Sequence, residues 1–195
     1  MRGRRTPPHR TRPEHVVQHP VHVTLRARAD VTYLRWDDAY PAMERSLSRA
    51  NKPWFRVLEF SVQDDHLHLI VEADSRLGLI RGVQGLAVRC AKAVNRALGR
   101  KGALWDHRYH AHRLKSPREV RVALLYVLLN FRKHHGAAPG IDPRSSGPWF
   151  AGWKRPPRPP SRPPPVAQAR TWLARVGWLR AGGPLDPAEW PPRRR

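Results

Sequence analysis

The sequence predicts an α+β domain in which one four-stranded antiparallel sheet carries helices on one face, followed by a tail of different composition. Three observations carry that expectation. Runs of alternating apolar and polar residues interleave with runs of helical period. Their order is strand, helix, strand, strand, helix, strand, helix. Beyond Gly140 the composition turns to Pro, Trp and Arg. A chain of 195 residues suits one domain of ordinary size plus such a tail.

Each element has its own justification. In "PVHVTLRA", residues 20–27, Val21, Val23 and Leu25 alternate with His22, Thr24 and Arg26, as in a half-buried strand. "DDAYPAMERSLSRANKP" opens on Asp37 and Asp38 as caps, places Met43, Leu47 and Ala50 at helical spacing, and ends at Pro53. "WFRVLEFSV", 54–62, and "HLHLIVEA", 66–73, form a hairpin across Gln63, Asp64 and Asp65. From Leu77 to Leu98, Leu79, Val83, Leu86, Cys90 and Val94 keep a helical rhythm, with Gly99 and Gly102 just beyond.

"ALWDHRYHAHRL", 103–114, reads as a fourth strand. The helix 116–136 starts with Ser116 as cap, Pro117 in its first position and Glu119 in its third, and Gly136 closes it. This order is a ferredoxin-like plan. The expected organisation is a disordered basic arm over 1–18, a folded domain over 19–140, and a Pro/Trp/Arg-rich tail over 141–195 with one short amphipathic helix in "VAQARTWLARVGWLR".

Composition narrows the partner. The formal charge is +22, with 37 Lys and Arg against 15 Asp and Glu, which attracts polyanions, nucleic acid first among them. A single cysteine, Cys90, excludes an intrachain disulfide and a cysteine-rich zinc site, and points to a reducing, cytoplasmic setting; as a helix residue it faces the core. No stretch approaches the roughly 18 apolar residues of a membrane span, and the basic start lacks a signal peptide's apolar centre.

The chemistry centres on "DDHLHLIVE". His66 and His68 leave one face of a strand, and neutral imidazoles so placed can converge on a divalent ion, although two surface histidines are the plainer reading of that pair alone. On the last helix Tyr126 and Asn130 stand four apart on one flank, so a hydroxyl and an amide point the same way. An Asn in "VALLYVLLNF" is costly unless bonded or liganded; the bland alternative is a helix-end Asn bonded to the backbone beside a core-edge Tyr.

A rival set is "HRYHAH", with His110 and His112 beside Tyr109; there a DNA-facing strand, with Arg108 and Arg113 toward phosphates, is the better reading. His134 and His135 suit a helix C-terminus. The tryptophans 149, 153, 172, 178 and 190 either stack on unpaired bases or pin the tail to the domain.

Taken together and in order, "HPVHVTLRA", "HLHLIVE", "KGALWDHRYHAHRL" and "LLYVLLNFRKHHG" resemble the HUH-type single-tyrosine transposases, the insertion sequence 200-like and REP-associated tyrosine transposase family, over roughly residues 19–137. The resemblance implies an RRM-like four-stranded sheet, His66 and His68 as metal ligands with Asn130 completing the site, Mg²⁺ or Mn²⁺ as the ion, and Tyr126 as nucleophile. It also implies single-stranded DNA near a hairpin or repeat end as substrate, a nucleoid-associated location, and a homodimer, since several members act as dimers. Asn130 stands where many members carry Gln, and Phe131 where the repeat-associated group has Pro.

A phenol of ordinary pKa near 10 needs a nearby cation or base to become a nucleophile at neutral pH. Arg26, Arg89, Lys92, Arg96, Arg108, Arg113 and Lys133 are the expected DNA contacts. The alternative reading is a non-catalytic basic nucleic-acid-binding protein with an RRM-like fold.

Overall fold

The computed structural model describes residues 14–131 and 140–189. The expectations on the basic arm before residue 14, and on Lys133, His134, His135, Gly136 and Trp190, lie outside the described residues.

The strands are β1 (Val21–Arg26), β2 (Phe55–Val62), β3 (His66–Ala73) and β4 (His110–Arg113), in one antiparallel sheet of order β2-β3-β1-β4. Helices α1 (Ala39–Ser48) and α2 (Arg76–Ala97) join them in the ferredoxin-like sequence, and α3 (Pro117–Leu129) follows β4. Ser75 starts α2 by accepting from Gly78 N at 2.9 Å. Ser116 starts α3 in the same way, taking the Glu119 N–H at 3.2 Å, while the Glu119 carboxylate reaches back to Lys115 N at 2.7 Å. Asp38 precedes α1 without a side-chain cap.

One face of β1, β2 and β3 is apolar. Val21, Val23 and Leu25 of β1, Leu67, Leu69 and Val71 of β3, and Phe55, Val57 and Phe60 of β2 pack against Met43 and Leu47 of α1 and Val83, Leu86, Cys90 and Val94 of α2. Cys90 is buried there, and burial pushes its thiol up to about 12, so it is a packing residue. Gly82 is required by this contact, because a Cβ there would stand 2.2 Å from the Phe55 ring.

The third helix departs from the one-face expectation: α1 and α2 cover that apolar face, and α3 lies across the other. The reason is local. A bulge between Val57 and Glu59 lets Val57 and Phe60, three apart, share the α1–α2 core, while Leu58 faces the other way and makes with Ile70 an apolar patch on which Val120, Leu124, Val127 and Leu128 pack.

The C-terminal segment completes this second layer. Its short helix α4 (Trp172–Arg175) and the 3₁₀ turn Gly177–Ala181 lie on α3, and Trp153, Leu173, Trp178 and Leu185 are buried there. Arg35 holds the fully buried Asp142 through two bonds of 2.8 Å. Glu72 accepts from Arg56, from Thr171 Oγ1 at 2.8 Å and from two backbone N–H groups at 2.9 Å. Residues 144–146 run along the outer edge of β2, with Val62 N to Arg144 O and Ser146 N to Phe60 O both at 3.0 Å. No described helix is long and apolar enough to cross a membrane.

Candidate active site

The polar half of the sheet's alternation faces α3. Register places Thr24 opposite His68 and Arg26 opposite His66, so β1 and β3 contribute adjacent rows. The His66 and His68 rings are 4.5 Å apart, centroid to centroid, and nearly perpendicular. Tyr126 meets them from α3, its ring 5.0 Å from His68 and 5.7 Å from His22, edge-on to both. The three residues singled out on two elements of the sequence, two histidines and a tyrosine, are therefore neighbours.

Each imidazole is oriented by a partner. His66 Nδ1 stands 2.5 Å from Asp65 Oδ1, and Arg26 holds the same carboxylate at 3.3 Å. Burial works against the Asp65 charge, but His66 and Arg26 outweigh it and keep the carboxyl below its ordinary range. His68 Nδ1 lies 3.2 Å from Thr24 Oγ1 and 3.3 Å from His22 Nε2. A proton on that Nδ1, shared with the Thr24 hydroxyl, puts the lone pair of His68 on Nε2, the form in which an imidazole ligates.

Asn130, one turn beyond Tyr126, is fully buried, and among the described residues neither its amide oxygen nor its nitrogen has a hydrogen-bond partner. An orphaned amide of this kind is expensive unless something else engages it. Among the described residues no three His, Cys, Asp or Glu side chains gather as a metal cage. Among the described residues a third donor beside His66 and His68 would be of another type, such as the amide oxygen of Asn130, and two imidazoles with an amide oxygen are donor types that a divalent ion accepts. The residues present fit such an ion.

Sequence reasoning missed four members of this site. His22, 6% exposed, and Thr24 looked like the solvent half of an alternating strand. Ser61 lies opposite His68 and takes a bond of 2.6 Å from Gln63 Nε2, while Gln63 Oε1 is buried with no hydrogen-bond partner among the described residues. The signal that could have found them is the alternation itself, once β1 and β2 are laid on either side of β3 with the histidines in register.

The rival set is divided by the pleat. His110 and His112, both on β4, pair with Thr24 and His22 and share the site's sheet face, where both are exposed to solvent. Tyr109 turns the other way and is buried with the α1–α2 core. Arg113 donates to Glu14 O at 2.9 Å, and Arg108 is exposed. Arg89, Lys92 and Arg96 line a groove between α1 and α2, in the layer that covers the opposite sheet face. Of the tail tryptophans, Trp153 and Trp178 are pinned in the core, Trp172 is 49% exposed beneath the Arg180 guanidinium, and Trp149 stacks under Arg162.

Comparison with known proteins fits this geometry. A solved REP-associated tyrosine transposase bound to a REP hairpin is similar in fold, at a TM-score of 0.54 and 17% identity over 66% of this chain and 75% of that one. A Deinococcus radiodurans R1 protein described as a transposase aligns at a TM-score of 0.42 and 14% identity over 66% of this chain and 100% of that one, too loosely to add to the argument. No curated protein matches the sequence. The profile of the family described as "Transposase IS200 like" matches residues 15–127, a span that holds β1, the histidine pair and Tyr126. The chain belongs to the IS200-like transposase family.

Proposed function

We propose that this transposase is an endonuclease and strand transferase for single-stranded DNA beside a hairpin, acting through a 5′-phosphotyrosine on Tyr126. The observation that supports it best is the Tyr126 ring 5.0 Å from His68, on a sheet face of oriented imidazoles. The hairpin follows from what the REP-associated transposase is described as binding.

In the first step the Tyr126 oxygen bonds to phosphorus and the bond from phosphorus to the 3′ oxygen breaks. The leaving oxygen keeps the electron pair and takes up a proton, giving a free 3′-OH. The ester to tyrosine conserves the bond energy, so a second 3′-OH can attack phosphorus, return the proton to Tyr126 and join strands. A divalent ion, Mg²⁺ or Mn²⁺, held by His66, His68 and Asn130, would withdraw charge from the phosphoryl oxygens. Asp65 and Thr24 fix the two imidazoles; α3, clamped by the tail, fixes the attacking oxygen relative to them. Arg26, opposite His66 in the ladder, would meet the incoming backbone.

Incubating the protein with hairpin-bearing single-stranded DNA and Mn²⁺ or Mg²⁺ should give a covalent adduct on a denaturing gel, lost in Tyr126→Phe. An adduct that persists in Tyr126→Phe moves the nucleophile elsewhere. DNA binding that is unchanged in EDTA and never yields an adduct makes the protein a plain binder instead.

A further inference from the structure

The stretch "KRPPRPPSRPPP", residues 154–165, holds seven prolines in twelve residues and lies outside the span 15–127 that matches the family. Proline fixes φ near −65° and has no N–H to give, so such a run extends as a polyproline II helix of three residues per turn. Burial keeps that period. Over 155–160 only Pro157 and Pro160, three apart, are half-buried, while Arg155, Pro156, Arg158 and Pro159 are exposed. Both ends are tied down: Trp153 is in the core before the strap, Arg162 pairs with Glu44 of α1 and lies over the Trp149 ring, and Pro165 O accepts from Asn51. Among the described residues no backbone group over 155–161 is hydrogen-bonded, and Arg155 and Arg158 form no ion pair, although Lys154 and Arg162 on either side do. Two Arg-Pro steps are thus held out to solvent, and a partner that takes them orders little further chain.

Surfaces that take a polyproline helix are aromatic clefts, and a basic ligand selects one with carboxylates beside the rings. The loop before α1 is of that kind. Trp36 is 61% exposed, the most open large apolar side chain among the described residues, and its ring lies 5.0 Å from that of Tyr33. The same loop is acidic in a basic molecule: residues 30–38 hold Asp30, Asp37 and Asp38 against Arg35, which Asp142 neutralises. Asp30 and Asp37 are engaged by Arg100 and Arg144. Asp38 is exposed, caps nothing and has no ion pair among the described residues.

Strap and loop border the same helix. Asp37 and Tyr40 at the start of α1 touch residues 143–144, Glu44 in its middle holds Arg162, and Asn51 just beyond it holds Pro165. Complementary surfaces on one flank meet twice across a twofold axis, so the assembly closes as a dimer with two identical contacts. We propose that two copies of this chain pair through this flank, the Pro156 and Pro159 rings of each strap against the Tyr33 and Trp36 rings of the other copy, with Arg158 on its Asp38. The contact involves neither Tyr126 nor the histidine pair. Repulsion between two chains of charge +22 opposes it, so pairing tightens as salt screens that repulsion, the reverse of nucleic-acid binding.

The test is sedimentation velocity of DNA-free full-length protein in EDTA, from about 1 to about 500 μM and in salt from about 0.1 to about 0.5 M. A monomer–dimer equilibrium is expected, weakened about tenfold or more by Trp36→Ala and by Pro156→Gly with Pro159→Gly, with thermal melts confirming that each variant folds. Asp38→Lys and Arg158→Glu should each weaken it too, and combined in one chain they should restore it, a rescue that loss of packing alone does not give. A protein that stays monomeric throughout overturns the proposal. So does a dimer untouched by Trp36→Ala, which would place the interface elsewhere, and so does failure of the paired reversal to restore association. Arg155→Ala with Arg158→Ala leaving the oligomeric state unchanged while weakening binding of an unstructured single strand would assign the strap to nucleic acid, and overturns it as well.

Discussion

The two faces of the sheet are made from the same strands and differ residue by residue. On the α1–α2 side every inward position of β1 and β3 is apolar, and the packing is complete. On the α3 side the alternate positions of those strands are His22, Thr24 and Arg26, and His66, His68 and Glu72, with Ile70 alone continuing the hydrocarbon. A buried polar row is a net cost unless its hydrogen bonds are made, so this face could not hold a domain together unaided. The lesson is a division of labour set by the pleat: the dry face supplies folding free energy, and that margin lets the other layer keep buried polar groups such as the His22 and His68 imidazoles.

Substitutions can break that division or sharpen it. Phe60→Ala on the dry face should cost about 3–5 kcal/mol in denaturant unfolding, while any protein that remains folded keeps its adduct chemistry; a loss below 1 kcal/mol would mean that face is not the principal core. Glu59, at the bulge, is the wet face's titratable liability: burial pushes its carboxyl up to about 8, against a bond to Ser146 that pulls the other way. Its raised folded pKa gives a stabilising contribution fully present below the unfolded value near 4.5 and lost as pH rises through about 8. Glu59→Gln should therefore flatten the fall in stability between those pH values by on the order of 3 kcal/mol, read from urea midpoints across the range.

His68→Ala should do the opposite of Phe60→Ala, lowering the rate of adduct formation about 100-fold or more while shifting stability little, and it should weaken Mn²⁺ binding measured by calorimetry. Smallest is Thr24→Val, which removes the hydroxyl beside His68 Nδ1: a roughly tenfold rate loss, restored by Thr24→Ser, is expected for a positioning residue. Failure of the serine to rescue would assign the effect to packing.

Much of this was legible before any coordinates. Period-two alternation located β1, β2 and β3 to within a residue or two, and Ser116, Pro117 and Glu119 fixed the start of α3, because both signals are local physics. The strand expected over 103–114 pairs as β4 only at His110–Arg113; before it Gly102 takes a positive φ and Trp105 makes a single bridge to Ala27. The face chosen by α3 was not legible, since it hinges on one bulged residue, Leu58, and on a tail whose contacts lie more than a hundred residues away in sequence, such as Arg35 to Asp142. His22 escaped notice for a related reason. A polar residue on an alternating strand declares only that it is off the dry face, and the partner across the ladder decides whether it meets water or a second imidazole.

The strip of chain at 144–146 along β2 has a consequence for assembly. With that flank occupied, the backbone ladder has one open margin among the described residues, the four residues of β4. An extended chain that adds there would lie beside His110 and His112, so any lateral growth of the sheet is one-directional and begins next to the histidine row, never at the bulged rim.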